Sequence, residues 1–136
     1  MKKFLMISVL YGLSGCASLP FMGPPASTAP ATPVFFQTFS AALDQSAIST
    51  IASAAKTANQ KPNARITVIG AADGVGSARA NKYLSETRAQ VVADALVADG
   101  VAAERIHIRG MGIAPSAVAA GTPAQSSRRV LIEISD

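Results

Sequence analysis

The sequence predicts an α+β domain in which a mixed four-stranded sheet carries its helices on one face, and three observations predict it. Apolar and polar residues alternate in the short runs 65–70, 105–109 and 129–134, as half-buried strands require. Between strand-like runs lie two longer stretches with apolar residues at helical spacing, one over 44–58 and one through Tyr83, Leu84, Val91, Val92 and Leu96. The resulting order is strand, helix, strand, helix, strand, strand, spread over about 100 residues, which suits one domain with one core.

Taken from the start, residues 1–15 read as a signal peptide. Lys2 and Lys3 precede an apolar stretch from Phe4 to Gly12, too short for a bilayer span of about 20 residues. Leu13-Ser14-Gly15-Cys16 then forms a lipobox-like ending that looks like a bacterial lipoprotein signal. Cys16 is the only cysteine, so it forms no internal disulfide, and its placement suits lipid attachment. A plain secreted protein cut near this point is the alternative. Ala17 rather than an aspartate follows Cys16, which resembles an outer-membrane sorting signal in enteric bacteria. Residues 16–33 form a lipidated cysteine and a tether rich in Ala, Ser, Thr and Pro with no charge. At ~3.1 Å per residue in extended polyproline geometry this segment reaches on the order of 50 Å.

The folded domain is expected over residues 34–136. Residues 34–36 form a short first strand, and a helix over 44–58 turns Leu43, Ile48 and Ile51 inward, with alanines allowing close packing. In the second strand Ile66 and Val68 share one face, while Arg65 and Thr67 share the other. The second helix runs through Tyr83, Leu84, Val91, Val92 and Leu96 and stops at Gly100, a good C-terminal cap residue. A third strand alternates Ile106 and Ile108 with Arg105, His107 and Arg109. The last points Val130, Ile132 and Ile134 one way. The Ala- and Gly-rich stretch 110–126 is expected to be a loop with at most one helical turn.

The most informative segment is GAADGVGSARANKYLSETRA, residues 70–89, a strand exit into a Gly-rich turn and then a helix. It holds Asp73 and Arg88 fifteen positions apart. A carboxylate accepts from an ammonium, and a planar guanidinium grips a carboxylate through two parallel N–H bonds, so this pair has the polarity to hold a free amino acid end. Taken alone, the two residues read equally well as a surface ion pair worth ~0–1 kcal/mol. Gly74 and Gly76 permit positive φ, letting the turn present Asp73 near the free N–H groups of the helix start. A dinucleotide fingerprint would need a third glycine where Arg79 stands. Asn81 lies two helical turns before Arg88, on the same stripe, where it could brace the loop, touch a ligand or simply face solvent.

Three blocks stand in register with the OmpA-like peptidoglycan-binding domain family, which usually shows G-H-T-D-x-x-G, N-x-x-L-S-x-x-R-A and N-R-R-V. They are Asp73 with Gly76, then Asn81, Leu84-Ser85 and Arg88-Ala89, then Arg128-Arg129-Val130. The chain resembles that family from about residue 34 to 134. It departs from the pattern at Ala71 and Ala72, where the family has His-Thr, and at Ser127, where it has Asn. Acids are also common in the family's first loop, where Gln37 and Phe39 stand here. The resemblance implies a β-α-β-α-β-β fold. It also implies noncovalent binding of peptidoglycan, with Asp73 and Arg88 holding the side-chain end of diaminopimelate in the stem peptide and Arg128 near the ligand. Arg129 then supports structure, although two strand-edge charges that discourage sheet pairing are an equally simple reading. The expectation is an outer-membrane lipoprotein facing the periplasm that links membrane to wall. An envelope scaffold of the same fold with weak wall affinity and a protein partner is the alternative.

Other classes find little support. Without Lys2 and Lys3 the formal charge falls from +4 to +2, the arginines are scattered, and no aromatic platform for bases exists, so no nucleic-acid partner is expected. His107 sits on the polar parity of a strand between Arg105 and Arg109, a solvent-facing position rather than a catalytic base. No Cys or acid cluster has metal-ligand spacing, no serine sits in G-x-S-x-G, and no carboxylate pair for glycosidic cleavage is identifiable. The sequence therefore points to a binding protein with no metal, cofactor or catalytic residue.

Overall fold

The computed structural model describes residues 30–115 and 124–136. The expected signal at 1–15, Cys16 and the tether up to residue 29 lie outside the described residues, as does the centre of the 110–126 stretch. The described chain forms strand β1 (Ala31–Phe35), helix α1 (Gln45–Gln60), strand β2 (Arg65–Ala72), helix α2 (Ala78–Ala98), strand β3 (Ile106–Ile113) and strand β4 (Arg129–Ser135). This is the expected α+β order.

The four strands stand in the order β1-β4-β2-β3. β2 and β3 are parallel, while β4 runs antiparallel to both β1 and β2 between them. Hence β1, β2 and β3 share one direction, and their C-terminal ends meet the start of β4 at one end of the sheet. That convergence positions the site.

Each helix has a chemical start and stop. The Asp44 carboxylate accepts from the Ala47 N–H at 2.7 Å to cap α1, and the Ser77 hydroxyl accepts from the Ala80 N–H at 3.1 Å to cap α2. At the far end of α2, Gly100 takes φ 95°. Its N–H donates to Val97 O and the next N–H, of Val101, donates back to Leu96 O, satisfying the last carbonyls. Val34, Ile66, Val68, Val130 and Ile132 of the sheet pack against Ile51, Ala55, Ala58, Ala89, Val92 and Leu96 of the helices. Each fully buried large apolar side chain in such a layer contributes roughly 1.5–3 kcal/mol.

Several expectations shift. β1 begins at Ala31, so residues 31–33 belong to the sheet rather than the tether. Pro33 is tolerated there because β1 is an edge strand paired only with β4. Ile48 is 46% exposed, since the buried stripe of α1 runs through Ala47, Ile51, Ala54, Ala55 and Ala58, one position off. Ile108 is 42% exposed on the outer edge strand. β3 does not end at Arg109 but continues through Ile113, taking residues 110–113 from the expected loop. In the described part at the end of that stretch a 3-10 turn occupies Gln125–Ser127.

Candidate binding site

Phe36 follows β1, Asp73 follows β2, and Arg128 precedes β4, so the topology delivers all three to the same end of the sheet. Phe36 N–H donates to Arg128 O at 2.9 Å, and Arg128 Nε donates to Phe36 O at 3.1 Å, latching the two chain segments together. Arg128 Nη1 then reaches Asp73 Oδ2 at 3.0 Å. Asp73 Oδ1 accepts from the Val75 N–H at 3.2 Å, a bond within the turn. Both partners are largely withdrawn from water, and Asp73 is 4% exposed.

Arg88 comes up from the buried stripe of α2, which also carries Asn81, Ser85, Ala89 and Val92. Its guanidinium is completely buried and held by three backbone carbonyls. Nε donates to Ser40 O at 2.8 Å, Nη1 to Ala71 O at 3.1 Å and Nη2 to Gln37 O at 2.9 Å. The ring of Phe36 lies 5.2 Å below it, within cation–π range. Burial pushes the Arg88 pKa down from the ordinary arginine range to about 10; the Asp73 carboxylate raises it and the Arg128 cation lowers it further. Asp73 therefore pairs with Arg128, while Arg88 organises the loop between β1 and α1.

Asn81 braces the turn: its side-chain Nδ2 donates to Val75 O at 3.0 Å. Gly76 alone in this turn takes positive φ, at 94°, and Gly74 does not. The Asp73 carboxylate bonds to the turn rather than to the first N–H groups of α2, whose cap is Ser77. Ala71 and Ala72 are buried and contribute through their carbonyls, Ala71 to Arg88 and Ala72 to the Ala114 N–H at 2.9 Å. Ser127 is buried beside Arg128, and its N–H donates to Ala124 O at 3.0 Å. Arg129 lies apart from this cluster and donates through Nη1 to Ser126 O. His107 is exposed.

The carbonyls of Gln37, Ser40 and Ala71 are the components that side-chain reasoning passed over, because a backbone acceptor leaves no mark in residue type. The cluster holds two guanidinium groups and one carboxylate, so it carries one unbalanced positive charge in a low-dielectric setting. Such a site favours an anionic group.

The sequence pattern of the OmpA family matches residues 35–129. The chain belongs to the OmpA family. Its relatives include the probable lipoprotein YiaD of Escherichia coli K12, 35% identical over 105 residues that make up 75% of this chain and 48% of that one. The peptidoglycan-binding protein ArfA of Mycobacterium tuberculosis is 40% identical over 73 residues, 54% of this chain and 22% of that one. This chain thus spans about half the length of YiaD and about a fifth of ArfA. Among solved structures, the OmpA-like domain of FopA1 from Francisella tularensis superposes with a TM-score of 0.67 at 26% identity, covering 75% of this chain and 69% of that one. The peptidoglycan-associated lipoprotein of Burkholderia pseudomallei has the same fold, with a TM-score of 0.68 at 21% identity, covering 76% and 89%.

Within this OmpA-family fold, no group of three or more His, Cys, Asp or Glu side chains among the described residues is placed to hold a metal ion. No helix among them is long and apolar enough to cross a membrane.

Proposed function

We propose that this chain is a lipid-anchored outer-membrane protein that binds peptidoglycan noncovalently and links membrane to wall. The observation that carries the reading is the buried cluster of Asp73, Arg88 and Arg128, with its excess of one positive charge at the convergent end of the sheet. The YiaD and ArfA likenesses support it, one being called a probable lipoprotein and the other a peptidoglycan-binding protein. The ligand is the side-chain end of diaminopimelate, where an ammonium and a carboxylate share one carbon. Asp73 accepts from the ammonium. The carboxylate takes the place of Asp73 beside Arg128 and draws on the N–H groups of Arg88 that the three carbonyls leave over. Because Arg88 is fully buried, the 37–40 loop yields when the ligand enters. Asn81 holds the turn that carries Asp73 and, on the same stripe as Arg88, is a further candidate contact for the stem peptide. The activity is binding, without turnover of the wall, and Cys16 carries the lipid.

A second reading, a scaffold of the same fold with little wall affinity and an envelope protein as its partner, is favoured by the fact that Asp73 and Arg88 already have protein partners. The two separate in one experiment. The chain from residue 16, made soluble by Cys16→Ser, is incubated with purified diaminopimelate-type peptidoglycan beside Asp73→Asn and Arg128→Gln, each checked for native folding. Wall binding requires that the parent sediment with the wall and that both variants stay largely in solution. A folded parent left in the supernatant selects the scaffold, and release of soluble wall fragments by the parent would make it an enzyme.

A further inference from the structure

Phe39 is the one non-glycine residue with positive φ among the described residues, at 53°. It occupies the third position of a turn closed by the Ser40 N–H donating to Gln37 O at 3.2 Å, where glycine or asparagine is the usual occupant. An aromatic residue is disfavoured in this left-handed region, because its Cβ crowds the following carbonyl. Burial does not compensate, for Phe39 is 67% exposed, more than any other large exposed hydrophobic residue among those described. The fold thus holds a strained residue and displays it, a combination that collects at functional sites.

The location gives the strain its meaning. The carbonyls on either side of Phe39, at Gln37 and Ser40, are two of the three that hold Arg88. Phe39 Cε1 lies 4.0 Å from the point where a Cβ on Gly76 would stand, in the turn that carries Asp73. The ring therefore reaches from the loop whose carbonyls hold Arg88 to the turn that carries Asp73. A diamino acid side chain presents a charged end on a run of methylenes, so its receptor needs a charged floor and an apolar wall. The cluster supplies the floor.

We infer that Phe39 is the apolar wall of this site and packs against the methylene chain of the ligand as its charged end enters. The inference rests on the wall-binding reading above. Its test uses the chain from residue 16 with Cys16→Ser, comparing the parent with Phe39→Asn, Phe39→Gly, Phe39→Tyr and Asp73→Asn. Asn and Gly tolerate positive φ, so both should raise the thermal midpoint, by about 4–8 °C, while weakening sedimentation with diaminopimelate-type peptidoglycan about tenfold. Phe39→Tyr should keep both parental values. If the Asn and Gly variants gain stability and bind like the parent while Asp73→Asn does not bind, the wall reading stands and the role of Phe39 falls. A lowered midpoint in those variants would make Phe39 a packing residue and overturn the inference. If the parent itself does not bind the wall, both readings fall together.

Discussion

Arg88 shows how one residue carries two duties. Its three carbonyl partners come from both sides of the cluster, two in the loop after β1 and one at the end of β2, so the guanidinium ties those segments to α2. Arg88→Met would leave three carbonyls without donors, and the expected loss is about 3 kcal/mol of stability, read from the urea midpoint. Its pH behaviour follows from a pKa lowered to about 10. Below that value the side chain is charged in the folded and unfolded chains alike, so the stability difference between parent and variant should be flat around neutrality. Above about 10 the folded chain releases its proton before the unfolded chain does, so the contribution of Arg88 to stability rises as the pH climbs further. Arg88→Ala is consequently a poor test of ligand contact. The sequence made Asp73, Arg88 and Arg128 legible as charges that belong together, through motif spacing. It did not disclose which arginine pairs with Asp73, because that choice depends on carbonyls that any residue would present.

At the scale of elements, α2 approaches the sheet over two glycines paired across β2 and β3, Gly70 and Gly110. A Cβ on Gly70 would stand 1.9 Å from Ser85 O, and one on Gly110 would stand 2.8 Å from the Glu86 backbone N. Backbone cannot step aside as a flexible side chain can. Gly70→Ala should therefore lift the first half of α2 from the sheet and cost about 3 kcal/mol, with thermal unfolding as the measure. Ser85 shares that close approach, its hydroxyl accepting from the Gly112 N–H at 2.9 Å and donating to Lys82 O at 2.7 Å, which gives the Leu84-Ser85 motif a structural purpose. Alternation and capping residues made β2, β4 and the helices legible nearly to their ends. β1 starts three residues earlier than expected, inside the Pro-rich run, and the last residues of β3 include Gly110 and Gly112, which read as loop in a sequence and serve here as space for a helix. Ile48 misled for a related reason, since alanines rather than large residues define the buried stripe of α1.

At the scale of the whole molecule, the proposed function assigns anchoring and wall binding to different segments, so the two should separate. The bonds that build the cluster join distant parts of the chain, spanning 55 positions from Asp73 to Arg128 and 92 from Phe36 to Arg128, so the cluster exists only when β1, β4 and β2 have come together. The strands that carry these residues run from Ala31 onward. In a diderm cell making the full chain, Cys16→Ser should move the protein from the membrane pellet to the soluble periplasmic fraction. The purified variant should sediment with peptidoglycan as before. Asp73→Asn should do the reverse, staying with the membrane and losing the wall. Membrane retention of the Cys16→Ser chain would place its anchor somewhere other than this cysteine, whereas loss of wall binding by the same folded variant would mean that the tether or its lipid takes part in the site.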